Sequence, residues 1–196
     1  MACQYNFYHI YNAIKARLIN NATVSTYKYN TTTVKLVARP ELTPVLTGER
    51  DVLIRFTKPY PTEGFHQGAG RLCSEVARYV EVIPRTRLQT GQADRDDNVL
   101  MNASLGHMLS EEFVCDALHL RELWREYDSQ DEEWDYPLTP TAQSDRLLTE
   151  PMRLIEGPYP FATEVSPVSK WDEENPPHTK SSLLFEVKYA LLLETT

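Results

Sequence analysis

The stretch that most constrains the fold is LLFEVKYALL at residues 183–192. Alternate positions carry large apolar side chains: Leu183, Phe185, Val187, Tyr189 and Leu191. Successive residues of a β-strand point to opposite faces of the sheet, so a repeat of two residues is typical of a strand with one buried face. We therefore expect a long strand here, with the other elements packed around it.

Shorter patterns predict the elements that accompany this strand. Residues 5–19 place apolar side chains three and four positions apart, which predicts an amphipathic helix. Two further segments place apolar side chains at alternate positions, and each predicts a strand with one mostly buried face. They are DVLIRF at 51–56 and RYVEVIPRTR at 78–87. Pro84 lacks an N–H donor and therefore predicts a strand end, a bulge or an edge.

The central part of the chain predicts helix rather than strand. Residues 93–127 carry the main helical pattern, which we expect Gly106 to break and Ser110 to restart as an N-cap. The order is then helix, strands, helix, strands. The predicted strands alternate apolar and polar residues and are not apolar throughout. This pattern and the order of the elements favour an α+β fold with a mixed, mostly antiparallel sheet. We expect the N-terminal helix and the central helical region to pack on one face of that sheet.

The length and composition predict a single domain over residues 1–196. Hydrophobic residues make up 41% of the chain, which is enough for one core. Two polar segments punctuated by proline, at about 128–145 and 157–180, predict extended loops.

Charge and cysteine content narrow the classes of function. A protein that grips duplex DNA neutralises phosphates with lysine and arginine, so a formal net charge of −8 argues against specific DNA binding. Cys3, Cys73 and Cys115 form no CxxC pair and indicate neither a disulfide framework nor a zinc site. We find neither a signal peptide pattern nor an apolar run near the ~20 residues of a membrane span. A soluble protein without a membrane partner is expected.

The segment EGFHQGAGRLC at 63–73 is rich in glycine, with Gly64, Gly68 and Gly70. A phosphate-binding P-loop requires Gly-Lys-Ser/Thr at the start of a helix, and a dinucleotide loop requires spaced glycines between a strand and a helix. Here Arg71 and a predicted strand follow instead, so no nucleotide or other cofactor is expected. We interpret the three glycines as a structural turn that joins two strands.

The remaining patterns do not indicate a catalytic or metal site. The five histidines include no pair at metal-ligand spacing such as HExxH. The acidic run at 131–135 lacks the alternating ligands and the mid-loop glycine of a calcium loop, and reads as a solvated acidic loop. A Ser-His-Asp triad can be assembled from distant positions, so a hydrolase whose site is invisible in the sequence is one alternative function.

Two aromatic residues, Trp134 and Tyr136, lie within the predicted acidic loop. Aromatic side chains in an exposed polar segment often become ordered at the surface of a partner. They can equally pack back onto the core of their own protein. Both interpretations are open from the sequence.

The order of these pieces resembles that of the tail terminator, or tail-completion, proteins of long-tailed bacteriophages and related phage-like particles. The resemblance is carried by the helix YHIYNAIKARL, the turn GFHQGAGR, the strand RYVEVIPRTR, the helix end VCDALHL, RLIEGPYP and the last strand LLFEVKYALLLE. It covers most of the chain as a pattern, and the added loops at 128–145 and 157–180 depart from the short members of the family.

The resemblance implies a structural, non-enzymatic role in the virion. Tail terminators form a ring, usually of six copies, on the head-proximal end of the tail tube, where they stop tube growth and present a surface to the head connector. The implied partners are further copies, the tail tube protein, the head connector protein and, in contractile tails, the sheath protein. DNA would pass through the ring without specific binding. The implied location is the tail neck of the virion, after assembly in the host cytoplasm.

A second connector role, as an adaptor or a stopper, is an alternative within the same class. On either interpretation the candidate interface residues are the arginines of the turn and of the strand that follows it, and the aromatic residues of the added loops. These are Arg71, Arg85, Arg87, Trp134, Tyr136 and Trp171.

Overall fold

The computed structural model describes residues 6–21, 29–38, 44–58, 60–68, 71–87, 107–139, 146–157 and 178–192. Its helices are α1 (Asn6–Asn20) and α2 (His107–Leu118). Its strands are β1 (Val34–Leu36), β2 (Arg50–Phe56), β3 (Tyr60–Gly68), β4 (Arg71–Arg87), β5 (Glu126–Asp128), β6 (Glu133–Asp135), β7 (Arg153–Glu156), β8 (His178–Lys180) and β9 (Leu183–Leu192). Among the described residues, no helix is long and apolar enough to cross a membrane.

Seven of the strands form one mixed sheet. Its neighbours follow the order β1-β2-β4-β9-β7, and β3 and β8 also pair with β4. β1 is parallel to β2, whereas the other five pairs of this sheet are antiparallel. β5 and β6 form a separate two-stranded hairpin. The predicted α+β fold with a mixed, mostly antiparallel sheet is confirmed.

The central strand β4 is 17 residues long and extends seven residues before the predicted start at Arg78. Pro84 does not end it. On one edge of β4, Pro84 pairs with Val52 of β2. On the other edge the partner strand changes near Pro84, because the pairing with β9 ends at Val82 and the pairing with β8 begins at Arg85. A proline has no N–H to donate to a neighbouring strand, so it is tolerated at a position where the partner strand changes.

The apolar core joins both helices to the central strands. On β9 the predicted alternation is confirmed between residues 183 and 190, where every second side chain is buried. The apolar side chains of α1 recur at spacings of three and four, as predicted from the sequence. The core residues of β9 and the two helices are Leu183, Phe185, Val187, Tyr189, Ile10, Ala13, Ile14, Leu18, Phe113, Val114, Ala117 and Leu118.

The prediction of a loop around the glycines is wrong for most of its length. Gly64 and Gly68 lie in β3, which pairs antiparallel with the start of β4. The register shifts between Pro61 and Phe65, where Gly64 lies. A glycine inside a strand often marks an irregularity of this kind, because it has no side chain to pack. The connection to β4 is residues 69–70, so Gly70 lies outside the described residues.

The start of the central helix also differs from the prediction. α2 begins at His107, and Ser110 is a buried residue of its first turn rather than an N-cap. The imidazole of His107 also makes two hydrogen bonds to Thr86 and Ser181, described below. The acidic residues predicted to open the helical region fall in 88–106, outside the described residues.

The predicted loop at about 128–145 is partly regular structure. β5 and β6 form a hairpin in which Tyr127 lies directly opposite Trp134. Cross-strand aromatic pairs stabilise a hairpin. The acidic composition of the segment predicted a loop, because composition does not show which residues lie opposite each other. The predicted loop at 157–180 falls mainly on 158–177, outside the described residues, and its last three residues form β8.

We expect Phe185→Ala to lower the free energy of unfolding by about 3–5 kcal/mol, because it leaves a cavity in the core. Phe185 is fully buried on the core face of β9. Lys188→Ala on the opposite face removes an ion pair with Glu150 that is partly open to water, and should cost less than about 1 kcal/mol. Urea denaturation of the two variants checks the difference, and equal losses would contradict the assigned register of β9.

Candidate functional site

Arg85 was predicted as an interface residue, but its side chain is buried and only 1% of the residue surface is exposed. Its Nε donates a hydrogen bond to Asp51 Oδ1 over 2.7 Å, and its Nη2 donates to Asp51 Oδ2 over 2.6 Å. Nη2 also donates to the carbonyl oxygen of Pro44, and Lys35 Nζ lies 3.0 Å from Asp51 Oδ2. A buried charge requires such partners, because an unpaired one is strongly destabilising. The assignment of Arg85 to an interface is therefore wrong, and its role is to join β2 to β4.

The other predicted interface residues lie in separate places. Arg71 is the first residue of β4, and Arg87 is its last residue, with an exposed side chain. Trp171 lies outside the described residues. Trp134 and Tyr136 are brought together beside the N-terminal half of α1.

Around these two residues the structure places an exposed aromatic cluster that we call the aromatic surface. It consists of Tyr8, His9, Arg125, Tyr127, Trp134 and Tyr136. The helix α1 supplies two of these residues, and the hairpin β5–β6 with its flanking positions supplies the other four. Three members are exposed, with exposed fractions of 59% for Tyr8, 54% for Tyr127 and 41% for Trp134.

The indole of Trp134 is held in one orientation by three neighbours. The ring of His9 meets it edge to face with centroids 4.8 Å apart, and the ring of Tyr127 lies 5.0 Å away. The guanidinium carbon of Arg125 lies 4.8 Å from its centroid, in a cation–π arrangement. A large aromatic side chain that is both exposed and fixed loses little entropy on binding, which is the property of an interface anchor.

Tyr136 anchors the hairpin to α1. Its hydroxyl shares a hydrogen bond of 2.9 Å with Nδ1 of His9, and its ring packs against the core. Burial, and to a lesser degree the charge of Arg125, lower the pKa of His9, so its imidazole is uncharged at neutral pH. Burial raises the pKa of Tyr136, which keeps its hydroxyl protonated. Tyr136 thus packs on the core of its own protein, as one of the two sequence interpretations has it, whereas Trp134 remains exposed.

The segment that carries the hairpin is attached to α1 at a second point. Nε of Arg17 donates to the carbonyl oxygen of Glu122 over 2.9 Å, and its Nη2 donates to that of Leu138 over 3.1 Å. These bonds fix the two ends of the segment 122–138 against one helix. The aromatic surface is therefore supported at its base rather than carried on a free loop.

A second cluster lies inside the molecule, where α2 meets the sheet. Nδ1 of His107 is 3.0 Å from Thr86 Oγ1, and Nε2 is 3.0 Å from Ser181 Oγ. Oε1 of Glu111 lies 3.6 Å from the same Nε2. Burial, with a smaller effect from the charge of His178, lowers the pKa of His107 to about 4. Burial also raises the pKa of Glu111, and its hydrogen bond with Ser181 offsets this only in part.

This buried cluster contains a serine–histidine contact, but it differs from a catalytic triad. In a triad the carboxylate orients one ring nitrogen while the serine faces the other. Here Ser181 and Glu111 both lie beside Nε2, and His107 is fully buried. The neutral imidazole instead bridges two hydroxyl groups and joins α2 to β4 and to the start of β9. Among the described residues, no group of three or more histidine, cysteine or acidic side chains is placed to hold a metal ion.

Sequence reasoning found part of the aromatic surface and no member of the buried cluster. Trp134 and Tyr136 were predicted, whereas Tyr8, His9 and Arg125 join them only through the packing of the hairpin on α1. For the buried cluster, the spacing of four between His107 and Glu111 was the only local signal. Thr86 and Ser181 are brought in by the antiparallel pairing of β4 with β8, which the sequence did not predict.

No protein-family model matches the chain, and no curated protein matches it either. Function is therefore inferred from the contacts of the chain itself and from the order of its elements.

We expect the stability lost in His107→Asn to depend on pH. The folded pKa of His107 is about 4, against 6.5 for the unperturbed side chain, so between these values the unfolded chain binds the proton more readily. The stabilisation is complete above pH 6.5 and is lost as the pH falls toward 4, by up to about 3 kcal/mol. The difference in unfolding free energy between the unmodified protein and His107→Asn should shrink accordingly.

The stability lost in Glu111→Gln should depend on pH in the opposite direction. The raised pKa of Glu111 means that the folded protein binds the proton more readily, so the unmodified protein loses stability as the pH rises above 4.5. Glu111→Gln should therefore cost less at pH 7 than at pH 4.5. Urea denaturation across this range measures both differences, and a loss in His107→Asn that is constant with pH would refute the assigned protonation of the cluster.

Proposed function

We propose that the protein is a structural subunit of the tail neck of a long-tailed bacteriophage or a related phage-like particle, and that it acts there as the tail terminator. The observation that carries this proposal is the aromatic surface. It presents three exposed aromatic side chains on a base that is fixed to α1, with an acidic hairpin around them. Such a surface suits the binding of another protein, because tyrosine and tryptophan are enriched at the centres of protein interfaces.

The proposed partners follow from the position of a terminator between tail and head. They are other copies of this chain in a six-membered ring, the tail tube protein, the head connector protein and, in a contractile tail, the sheath protein. The net charge of −8 supports passage of DNA through such a ring. Carboxylates repel phosphates at close range, and this repulsion is screened over about 8–10 Å at physiological salt.

The described residues favour this role over that of a hydrolase. A hydrolase needs its nucleophile and base at a surface that the substrate reaches. The contact between Ser181 and His107 is buried, and the acidic partner stands beside the nitrogen that faces the serine. An adaptor or stopper would use a protein-binding surface in the same way. The aromatic surface therefore does not separate the terminator role from these connector roles, and the next experiment does.

Removal of the gene from a phage that encodes this chain should give tail tubes longer than those of the parent phage, because a terminator stops tube growth. Electron microscopy of the lysate measures the tube lengths. Unattached tails of normal length would indicate an adaptor or stopper instead. Intact, infectious particles formed without the protein would contradict a neck role altogether.

The aromatic surface should be needed for that role. We expect Trp134→Ala, supplied in trans, to keep the main sheet and both helices but to restore infectious particles at least about tenfold less well than the unmodified gene, as for an interface anchor. Met108→Ala is the matched control, because Met108 is similarly exposed at 39% but lies on α2. Full rescue by Trp134→Ala would show that the aromatic surface does not carry the function.

A further inference from the structure

We propose that the aromatic surface binds an extended, arginine-bearing segment of a partner protein, and that this segment lies along the outer edge of β6. Such a segment is the kind of partner that the aromatic surface would meet in the tail neck, so the proposal rests on the proposed function. Four features of the hairpin support it: its charge, the placement of that charge, the open edge of β6 and the contact between Arg125 and Trp134.

The hairpin is strongly acidic. Residues 126–136 contain six acidic residues and no lysine or arginine. Four of the acids are exposed, and among the described residues no lysine or arginine forms an ion pair with these four. They are Asp131, Glu132, Glu133 and Asp135. Even with the neighbouring Arg125, negative charge is in excess, so this surface attracts a cationic group.

Acidic residues lie opposite each other across the two strands. Asp128 pairs with Glu133, and Glu126 pairs with Asp135. The carboxylate of Asp128 accepts a hydrogen bond from the backbone N–H of Gln130 over 2.7 Å, which holds this charge in place. Like charges directly opposite each other destabilise a pair of strands. A cationic group of a partner beside them would offset that repulsion.

The outer edge of β6 gives access to both faces of the hairpin. β5 and β6 form a sheet of two strands, so within the described part of the chain no third strand pairs with β6. All three residues of β6 are exposed. Successive side chains of a strand point to opposite faces, so Trp134 lies on one face and Glu133 and Asp135 lie on the other. An extended segment that adds to this edge as a further strand would meet the indole and the carboxylates at alternate positions.

The contact between Arg125 and Trp134 indicates which cation this surface suits. The guanidinium carbon lies 4.8 Å from the indole centroid, within the range of a cation–π contact. A guanidinium stacks on aromatic rings and pairs with a carboxylate through two parallel hydrogen bonds, whereas the ammonium group of lysine is a compact and more strongly hydrated charge. The exposed rings of Tyr8 and Tyr127 offer the same kind of contact to an arginine of a partner. Arginine is therefore preferred to lysine.

The acidity of the hairpin disfavours two other occupants. Nucleic acid presents a row of phosphates, which carboxylates repel. A second copy placed with its hairpin against this one would oppose two acidic surfaces, and like charges across an interface are unfavourable. An arginine-bearing protein segment supplies the complementary charge.

Binding of short peptides to the full chain tests the proposal. The probes are three labelled peptides, RTRTRTR, KTKTKTK and ETETETE, and fluorescence anisotropy at low salt measures their dissociation constants. We expect the arginine peptide to bind at least about threefold more tightly than the lysine peptide, because only arginine combines stacking with paired hydrogen bonds. The glutamate peptide should not bind. Equal binding of the arginine and lysine peptides, or no binding of the arginine peptide, would overturn the proposal.

Two pairs of isosteric substitutions locate the binding. Glu133→Gln/Asp135→Asn removes both carboxylates of β6 and should weaken binding of the arginine peptide at least about fivefold. It also removes one charge from each acidic cross-strand pair, so the hairpin should stay folded. The matched control Glu49→Gln/Glu112→Gln removes two exposed carboxylates before β2 and on α2, and should leave binding unchanged. Equal weakening by both would show attraction to the net charge alone and would contradict a site on β6.

The other occupants are tested with Trp134→Ala. Binding of a single-stranded DNA oligonucleotide that this variant abolishes would overturn the proposal in favour of nucleic acid. Self-association in sedimentation velocity that it abolishes would overturn the proposal in favour of a second copy. Failure of the arginine peptide to bind would leave the neck role standing, because tube lengths test that role separately. Tight binding of the peptide together with intact particles formed without the protein would instead contradict the neck role alone.

Discussion

The structure depends on β4, because this strand forms backbone pairs with four others. A strand has only two hydrogen-bonding edges, so β3 and β2 follow one another along one edge of β4, while β9 and β8 follow one another along the other. The buried pair of Asp51 and Arg85 sets the register between β2 and β4, since these residues lie directly opposite each other. A slip by one residue would place the arginine on the other face of the sheet and leave the carboxylate without its partner.

The two helices are positioned by what they contact on this sheet. His107 begins α2 and bridges Thr86 of β4 to Ser181 beside β9, so the helix start is held by polar contacts in the interior. At the end of β2, Phe7 of α1 packs on Phe56. That contact places the first turns of α1 beside the hairpin β5–β6. The aromatic surface is therefore formed where the first turns of α1 contact the hairpin.

Local periodicity predicted the elements whose pattern is contained within one segment. The alternation of β9 and the helical spacing of α1 both follow from side chains that share the core, and both are found in the structure. Gly64 was misjudged because its place in β3 is set by cross-strand pairing rather than by neighbouring residues. Arg85 was assigned to the surface on the strength of its charge, because the sequence does not show that Asp51 lies opposite it. For the aromatic surface, Trp134 and Tyr136 were predicted, but His9 is more than 120 positions away and joins them only through tertiary packing.

The subunit presents an exposed aromatic surface that suits a protein partner. A reconstruction of the neck of intact particles by electron cryomicroscopy tests this claim most directly. We predict a ring in which residues 126–136 of each subunit lie against a neighbouring protein chain, with the indole of Trp134 buried at that contact. A neck in which this chain is absent, or a ring in which the hairpin faces solvent in every subunit, would contradict it.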